Sequence, residues 1–226
     1  MSSLLLRGWN WCRRFRKRCG YGVHSPSDFF LITFVIYEKL PFYAYERLHG
    51  LRILSQCNPE HREKVDKLLF RLVNYLQPEV LFEIGTGSGI STRYMAEARR
   101  KMKVFSFSDN KTDNLKDTSG CRGDIEFYST GLKGFISSLN ESEEKPDIIH
   151  IANTDDYEQA FETALQYVSP NTCMIISLPY KDKARKEWWR SVVADPRTGV
   201  TFDLYDLGII FFDPKRVKEH RVVNFL

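Results

Sequence analysis

The chain has 226 residues, 42% hydrophobic and 27% charged, which suits one soluble globular domain or one domain with an appended piece. Its formal net charge of only +4 gives little reason to expect a nucleic-acid partner, and no apolar run reaches the roughly 18 residues that a membrane-spanning helix needs. The five cysteines (Cys12, Cys19, Cys57, Cys121 and Cys173) are widely spaced and form no C-x-x-C pair, which argues against a disulfide framework or zinc site and for a reducing, cytoplasmic setting.

The N-terminus shows three consecutive leucines before charge returns at Arg7, too few for a secretion signal. Residues 7–18 carry Arg7, Arg13, Arg14, Arg16, Lys17 and Arg18 with no acid among them. A short basic helix is expected over 3–18, with Trp9, Trp11 and Phe15 interspersed. Such a helix could make weak contact with an anionic membrane surface or RNA. The plainer reading is a solvated face with Trp9 or Trp11 packed on the domain.

Gly20-Tyr-Gly22 then breaks the chain. Ser25-Pro26 reads as a helix start, a capping hydroxyl before proline at the first helical position, and a buried aromatic helix is expected to about residue 38. Residues 40–57 read as helical in part. Residues 1–57 together are expected to form an N-terminal helical extension of an α/β domain spanning 58–226. Asn58-Pro59 restarts a helix by the same cap logic, and Val65, Leu68, Leu69, Leu72, Val73 and Leu76 share one face until Pro78 stops it.

From residue 80 onward, short apolar runs alternate with amphipathic stretches, which predicts a mainly parallel sheet covered on both faces. Strands are expected at 80–84, 104–107, 125–128, 148–152 and 173–178, with helices near 91–100, 132–139, 156–168 and 182–194. The tail departs from this rhythm. Residues 201–206 and 209–213 are strand-like and only Leu207-Gly208 separates them, too short for a helical crossover, so an antiparallel hairpin should close a seven-stranded sheet.

The loop Glu83-Ile-Gly-Thr-Gly-Ser-Gly89 joins the first strand to a helix. Its glycines let the backbone turn sharply and approach a ligand, and the helix that follows offers free N–H groups. A dinucleotide fingerprint needs G-x-G-x-x-G; here the third glycine comes one residue early. The acidic residue two positions before the first glycine makes the loop resemble motif I of the S-adenosylmethionine (SAM)-dependent methyltransferases. From Gly20 onward the chain resembles a bacterial group of class I methyltransferases related to the small-molecule O-methyltransferases. The resemblance rests on this loop, on Tyr21-Gly22-Val23-His24-Ser25-Pro26, and on Asp203-Leu-Tyr-Asp-Leu-Gly-Ile-Ile-Phe-Phe.

The resemblance implies a Rossmann-like SAM-methyltransferase sandwich, SAM as cofactor and a small-molecule acceptor. It implies cofactor contacts from Glu83, Gly85, Thr86, Gly87, Ser88 and Gly89, with Glu83 also fixing the loop. The second strand of relatives ends in an acid for the ribose; here Ser108 stands there and Asp109 follows, either shifted into that role or making a turn with Asn110. Ala152, followed by Asn153, occupies the place of the usual fourth-strand aspartate. Asp155 and Asp156 read better as acids at a helix start after Thr154 than as replacements.

The fifth strand ends in Ser177-Leu178-Pro179 instead of paired aspartates, so no divalent metal is expected. His24 is the candidate base, or else it holds its segment on the domain. His150 reads as a satisfied core side chain, and His61 and His220 as exposed. Tyr180 and Lys181 fall where relatives contact substrate, and at least one of Trp188 and Trp189 should be packing. Three functions remain open: a metal-independent methyltransferase acting on a small acceptor; a catalytically degenerate member that binds SAM or a related nucleoside weakly or not at all and serves as a binding or regulatory module; and, more distant because the glycine spacing opposes it, a nucleotide-binding protein of another kind using the same loop. Whether the chain acts alone or as a homodimer is equally open.

Overall fold

The structure, a computed structural model, describes residues 4–54, 59–109, 121–142 and 145–226. Its N-terminal part contains helix α1 (Leu4–Arg13), then α2 (Pro26–Phe30), which continues in π-helical form over Leu31–Ile36, and α3 (Tyr45–Leu54). Ser25 caps α2, its Oγ accepting the Asp28 N–H at 3.4 Å, as the Ser-Pro signal predicts. Helix α4 (Glu63–Leu76) follows. It starts later than the Asn58-Pro59 signal predicts. Pro59 to Arg62 is not helical, Arg62 in extended backbone takes the cap position, and Asn58 lies outside the described residues.

The sheet contains β1 (Val80–Ile84), β2 (Lys103–Phe107), β3 (Asp124–Tyr128), β4 (Ile148–Ile151), β5 (Cys173–Ser177), β6 (Thr201–Asp203), β7 (Leu207–Phe211) and β8 (His220–Val222). Between them run α5 (Ile90–Ala98), α6 (Gly131–Glu141), α7 (Tyr157–Ala164) and α8 (Lys183–Ala194). The spatial order is β3-β2-β1-β4-β5-β7-β6-β8. β1 to β5 are parallel, and β7 runs antiparallel to both β5 and β6. The antiparallel closing hairpin is as expected, but its turn is Leu204-Tyr205-Asp206 and not Leu207-Gly208. The expected seven strands become eight, because the tail returns and β8 pairs in parallel with β6.

Both sheet faces are covered. One buries Leu81, Val104, Ile148 and Ile175 against Val65, Leu68, Leu72, Tyr94 and Met95 of α4 and α5. The other buries Phe82, Ile84, Ile149 and Ile176 against Phe135, Phe161 and Trp189 of α6, α7 and α8. Strand positions alternate between these two cores, so a single polar residue in an apolar strand is committed to one face. Among the described residues, no helix is long and apolar enough to cross a membrane.

Helix α1 and the residue just after it reach the domain through their cations. Arg7 makes a bidentate pair with Asp206, at 2.9 and 2.7 Å, and Arg14 meets Asp203 at 2.9 Å. The Asn224 amide donates to the Trp11 carbonyl. Leu5 and Trp9 point away from this contact and are 87% and 64% exposed. Trp11 is also exposed, resting edge-on against Phe15. The expectation that one of the two tryptophans packs on the domain is therefore corrected: the arginines carry the attachment.

Candidate functional site

The strand order reverses direction between β1 and β4, and ligands of open α/β sheets bind outside the strand ends at such a point. The glycine loop leaves β1 there. Gly85, Gly87 and Gly89 have φ of +86°, +55° and +67°, a region that L side chains adopt only at a cost, so the path of the loop depends on glycine. Gly89 ends the loop at the start of α5, whose N-terminus no side chain caps among the described residues. Its free N–H groups therefore remain available for an anion.

Glu83 does not face this cleft. Its side chain points into the α4/α5 face and is 1% exposed. Thr92 and Ser106 hydroxyls donate to Oε2, each at 2.5 Å, and His150 Nδ1 lies 2.8 Å from Oε1. Thr86 Oγ1 sits 2.7 Å from Ser106 Oγ; since Ser106 already donates to Glu83, Thr86 donates to Ser106. Glu83 thereby ties the loop to β2, β4 and α5.

The register explains the cluster. Glu83 pairs with Ser106 on one side and His150 on the other, so three polar residues lie abreast on one face across adjacent strands. Ser177 extends the row on β5: its Oγ is 2.8 Å from His150 Nε2. The other neighbour of Ser177 Oγ is His61 Nε2, at 2.9 Å. His61, read from the sequence as exposed, is buried, and this is the main correction at the site. It comes from the non-helical segment before α4, which lies over the strand ends. Arg52 donates to the His61 carbonyl, and Arg62 reaches Asp206 at 2.7 Å, tying down both sides of the segment. Burial, then the neighbouring His150, pushes the His61 imidazole down to about 3, so the ring is neutral.

The same segment places Glu60 over the loop. A Cβ at Gly87 would fall 1.9 Å from Glu60 Oε1, so the absent side chain makes room for this carboxylate. Burial, followed by the charges of Glu83 and Asp66, pushes the Glu60 carboxyl up to about 7.

At the ends of β4 and β5, an arginine dominates. Arg185 of α8 is 1% exposed. It donates to the carbonyls of Thr154 at 3.0 Å, Ala152 at 2.8 Å and Ser177 at 3.0 Å, with its guanidinium 4.7 Å from the centre of the Tyr157 ring. A fixed organic cation bridges the two strand ends from which relatives are expected to supply metal ligands. The donors present, namely Ala152, Asn153, Ser177 and a guanidinium, do not fit a divalent metal.

Ser88 is half-buried and Gly87 is exposed on the loop. Ser108 is buried just after β2, and Asp109 is exposed with its carboxylate against Gly131 at the start of α6. Asn110 lies outside the described residues. Asn153 Oδ1 accepts from Lys181 Nζ at 2.9 Å. Asp155 and Asp156 are exposed at the start of α7, where the Thr154 hydroxyl accepts the Asp156 N–H. Tyr180 stacks on Tyr205 at 4.9 Å, donates to Asp203 and lies under Arg14. Trp189 is buried, as packing required, and His220 is exposed. His24 is exposed in the turn before α2 and makes no hydrogen bond to the described residues.

Sequence reasoning missed Glu60, His61 and Arg185. Only Arg185 left a trace, as a cation on the amphipathic α8.

No known protein family and no curated protein matches the chain by sequence. Solved structures do match. The O-methyltransferase from Bacillus cereus in complex with S-adenosylhomocysteine superimposes with a TM-score of 0.56 at 18% identity, covering 76% of this chain and 92% of that one. The O-methyltransferase TomG from Streptomyces achromogenes, involved in tomaymycin synthesis and solved with SAM, gives 0.54 at 14%, covering 76% and 91%. The methyltransferase PaMTH1 from Podospora anserina, bound to S-adenosylhomocysteine, gives 0.51 at 16%, covering 77% and 98%. At these identities the likeness is one of fold: the chain has the Rossmann-like α/β fold of these SAM-dependent methyltransferase structures, a mostly parallel sheet with antiparallel closing strands.

Proposed function

We propose that the chain binds SAM on its glycine loop and transfers the methyl group to a small-molecule acceptor without a divalent metal. The observation that carries this reading is the loop at the β1–β4 switch point, with three left-handed glycines, an uncapped α5 behind it and the Glu60 carboxylate above it. The fit is chemical. A carboxylate over Gly87 suits the ammonium of an amino-acid tail, and free helix N–H groups suit its carboxylate. Gly85, Thr86, Gly87, Ser88, Gly89 and Glu60 would hold that tail; Ser108 and Asp109 stand at the β2 end for the ribose; Ala152 and Asn153 line the β4 side.

When bound, SAM supplies a methyl group already activated on sulfur. The chain's own residues then have to bind, orient, exclude water and take up an acceptor proton. The soluble, cytoplasmic setting proposed with this function is supported by the free cysteines Cys12, Cys19, Cys121 and Cys173.

One observation favours the degenerate alternative: Glu60 and His61 are already packed against the loop and the strand ends. The deciding test is calorimetric titration of the full chain with S-adenosylhomocysteine, followed by incubation with SAM and a panel of hydroxylated acceptors. Micromolar binding with turnover supports methyl transfer, and binding without turnover supports the degenerate module. Silence at millimolar ligand removes methyl transfer and leaves a regulatory module that binds no SAM.

A further inference from the structure

Four side chains form a single file from the interior to the cleft-side segment. Glu83 Oε1 is 2.8 Å from His150 Nδ1, His150 Nε2 is 2.8 Å from Ser177 Oγ, and Ser177 Oγ is 2.9 Å from His61 Nε2. All four residues are buried. The file ends at His61 Nδ1, a buried nitrogen with no hydrogen-bond partner among the described residues. Buried polar atoms are rarely left unpaired, and where they are, function is a common reason.

With every contact in the file made as a hydrogen bond, and with His61 kept neutral by its burial beside His150, Arg52 and Arg185, two proton arrangements remain. The Glu83 oxygens accept from Thr92, Ser106 and His150, so His150 carries its proton on Nδ1. In the first arrangement Ser177 donates to His150 Nε2 and His61 Nε2–H donates to Ser177, which leaves a lone pair on His61 Nδ1. In the second, His150 is an imidazolium, Ser177 donates to His61 Nε2, and His61 carries its proton on Nδ1. The two differ by one proton. It enters at His61 Nδ1, and its charge comes to rest on His150 beside Glu83.

We propose that His61 Nδ1 is the general base of the site, and that Ser177 and His150 relay the charge of the accepted proton to the side of Glu83. The acceptor O–H bond breaks and a bond to His61 Nδ1 forms. His61 Nε2 gives its proton to Ser177 Oγ, and Ser177 gives its own to His150 Nε2. The products are a deprotonated acceptor and a His150 imidazolium paired with the Glu83 carboxylate.

Throughout, His61 stays neutral, which suits a ring that faces Arg52 and Arg185 as well as His150, with Asp206 the only opposing charge among its main neighbours. The positive charge is stored where a carboxylate compensates it. The acceptor is taken from the methyl-transfer reading; the relay itself rests on the four side chains alone.

The test is imidazole 15N NMR on the full-length protein from about pH 5 to about pH 9, the range in which a histidine switch is observable. His61 is expected to exchange its Nε2–H for an Nδ1–H form as pH falls, without ever holding both protons, at the same midpoint at which His150 becomes an imidazolium. Ser177→Ala should abolish the shared midpoint. Separate midpoints in the wild-type protein, or a doubly protonated His61, would overturn the relay, and neither result depends on how the variant folds. S-adenosylhomocysteine titration on the same sample tests the cofactor reading independently. A shared midpoint without ligand binding keeps the relay and removes methyl transfer, whereas binding with separate midpoints does the reverse.

Discussion

The Glu60 carboxylate lies against the Cα of Gly87, with Oε1 1.9 Å from where a Cβ would stand. Because burial is the main reason its carboxyl is pushed up to about 7, its charge state changes near neutrality. An acid raised in the folded state holds its proton more tightly than in the unfolded chain. Stability therefore falls as pH rises from the ordinary 4.5 towards 7, and the penalty is complete above that window. A ligand that brings an ammonium to the loop binds the ionised form. S-adenosylhomocysteine affinity should rise with pH by up to about tenfold per unit below pH 7, then level off. Glu60→Gln should flatten the profile, and calorimetry across this range reads both. A flat wild-type profile would remove Glu60 from the ligand site.

Gly87 also allows a separation of strain from crowding. Gly87→Ala forces a Cβ both into left-handed backbone, at about 1–2 kcal/mol, and into the Glu60 carboxylate. In a Glu60→Ala background only the first cost remains. The second substitution should therefore be less destabilising there than in the wild type, by about 1 kcal/mol in chemical denaturation. Equal costs in the two backgrounds would mean that Glu60 moves aside freely.

Much of this was legible from residue order, and the exceptions have identifiable physical causes. β1 and the antiparallel hairpin follow from apolar runs and a short connection, both local signals. His150 stood out in the sequence as a polar residue in an apolar strand, but which strands adjoin is a matter of topology, so its row with Glu83 and Ser106 was not legible. His61 and Glu60 were hidden because Asn58-Pro59 is a sound helix signal in isolation. Tertiary bonds from Arg52 and Arg62 hold the three residues that follow, Glu60, His61 and Arg62, out of helix and across the cleft. Arg185 read as one more cation on a surface helix, since nothing local shows that three carbonyls await it.

Asp206 joins the N-terminal helix to the cleft-side segment, accepting from Arg7 and Arg62 on the same Oδ2. Burial alone would raise its carboxyl, but the two arginines outweigh burial and hold it below the usual range. A depressed carboxyl adds stability above its unfolded pKa and loses it in acid, so attachment of α1 should weaken as pH falls below about 4. Arg7→Ala and Arg62→Ala should be non-additive in urea unfolding, coupled by about 0.5–1 kcal/mol because Arg62 is half exposed. Strict additivity would show that the shared carboxylate does not link the two elements.

Arg185 carries the strongest stability prediction. Its guanidinium serves three carbonyls at the ends of β4 and β5 and below the start of α7, all at 3.0 Å or less. Desolvation is the leading influence on the group and lowers its pKa, with Tyr157, Asp182, Asp155 and Glu60 pulling the other way. Arg185→Met keeps most of the aliphatic volume but leaves carbonyls buried and unpaired, at about 1–3 kcal/mol for each that water cannot reach. The expected loss in urea unfolding is about 3–5 kcal/mol, in the range for breaking a buried charged contact. Arg185→Lys should recover only part of this, since an ammonium lacks the planar fork that spans separate strand ends. Magnesium should not restore either variant, because the freed oxygens are backbone carbonyls with no carboxylate among them. A loss below about 1 kcal/mol for Arg185→Met would mean that water already satisfies the strand ends, and rescue by magnesium would reinstate the metal site that this arginine displaces.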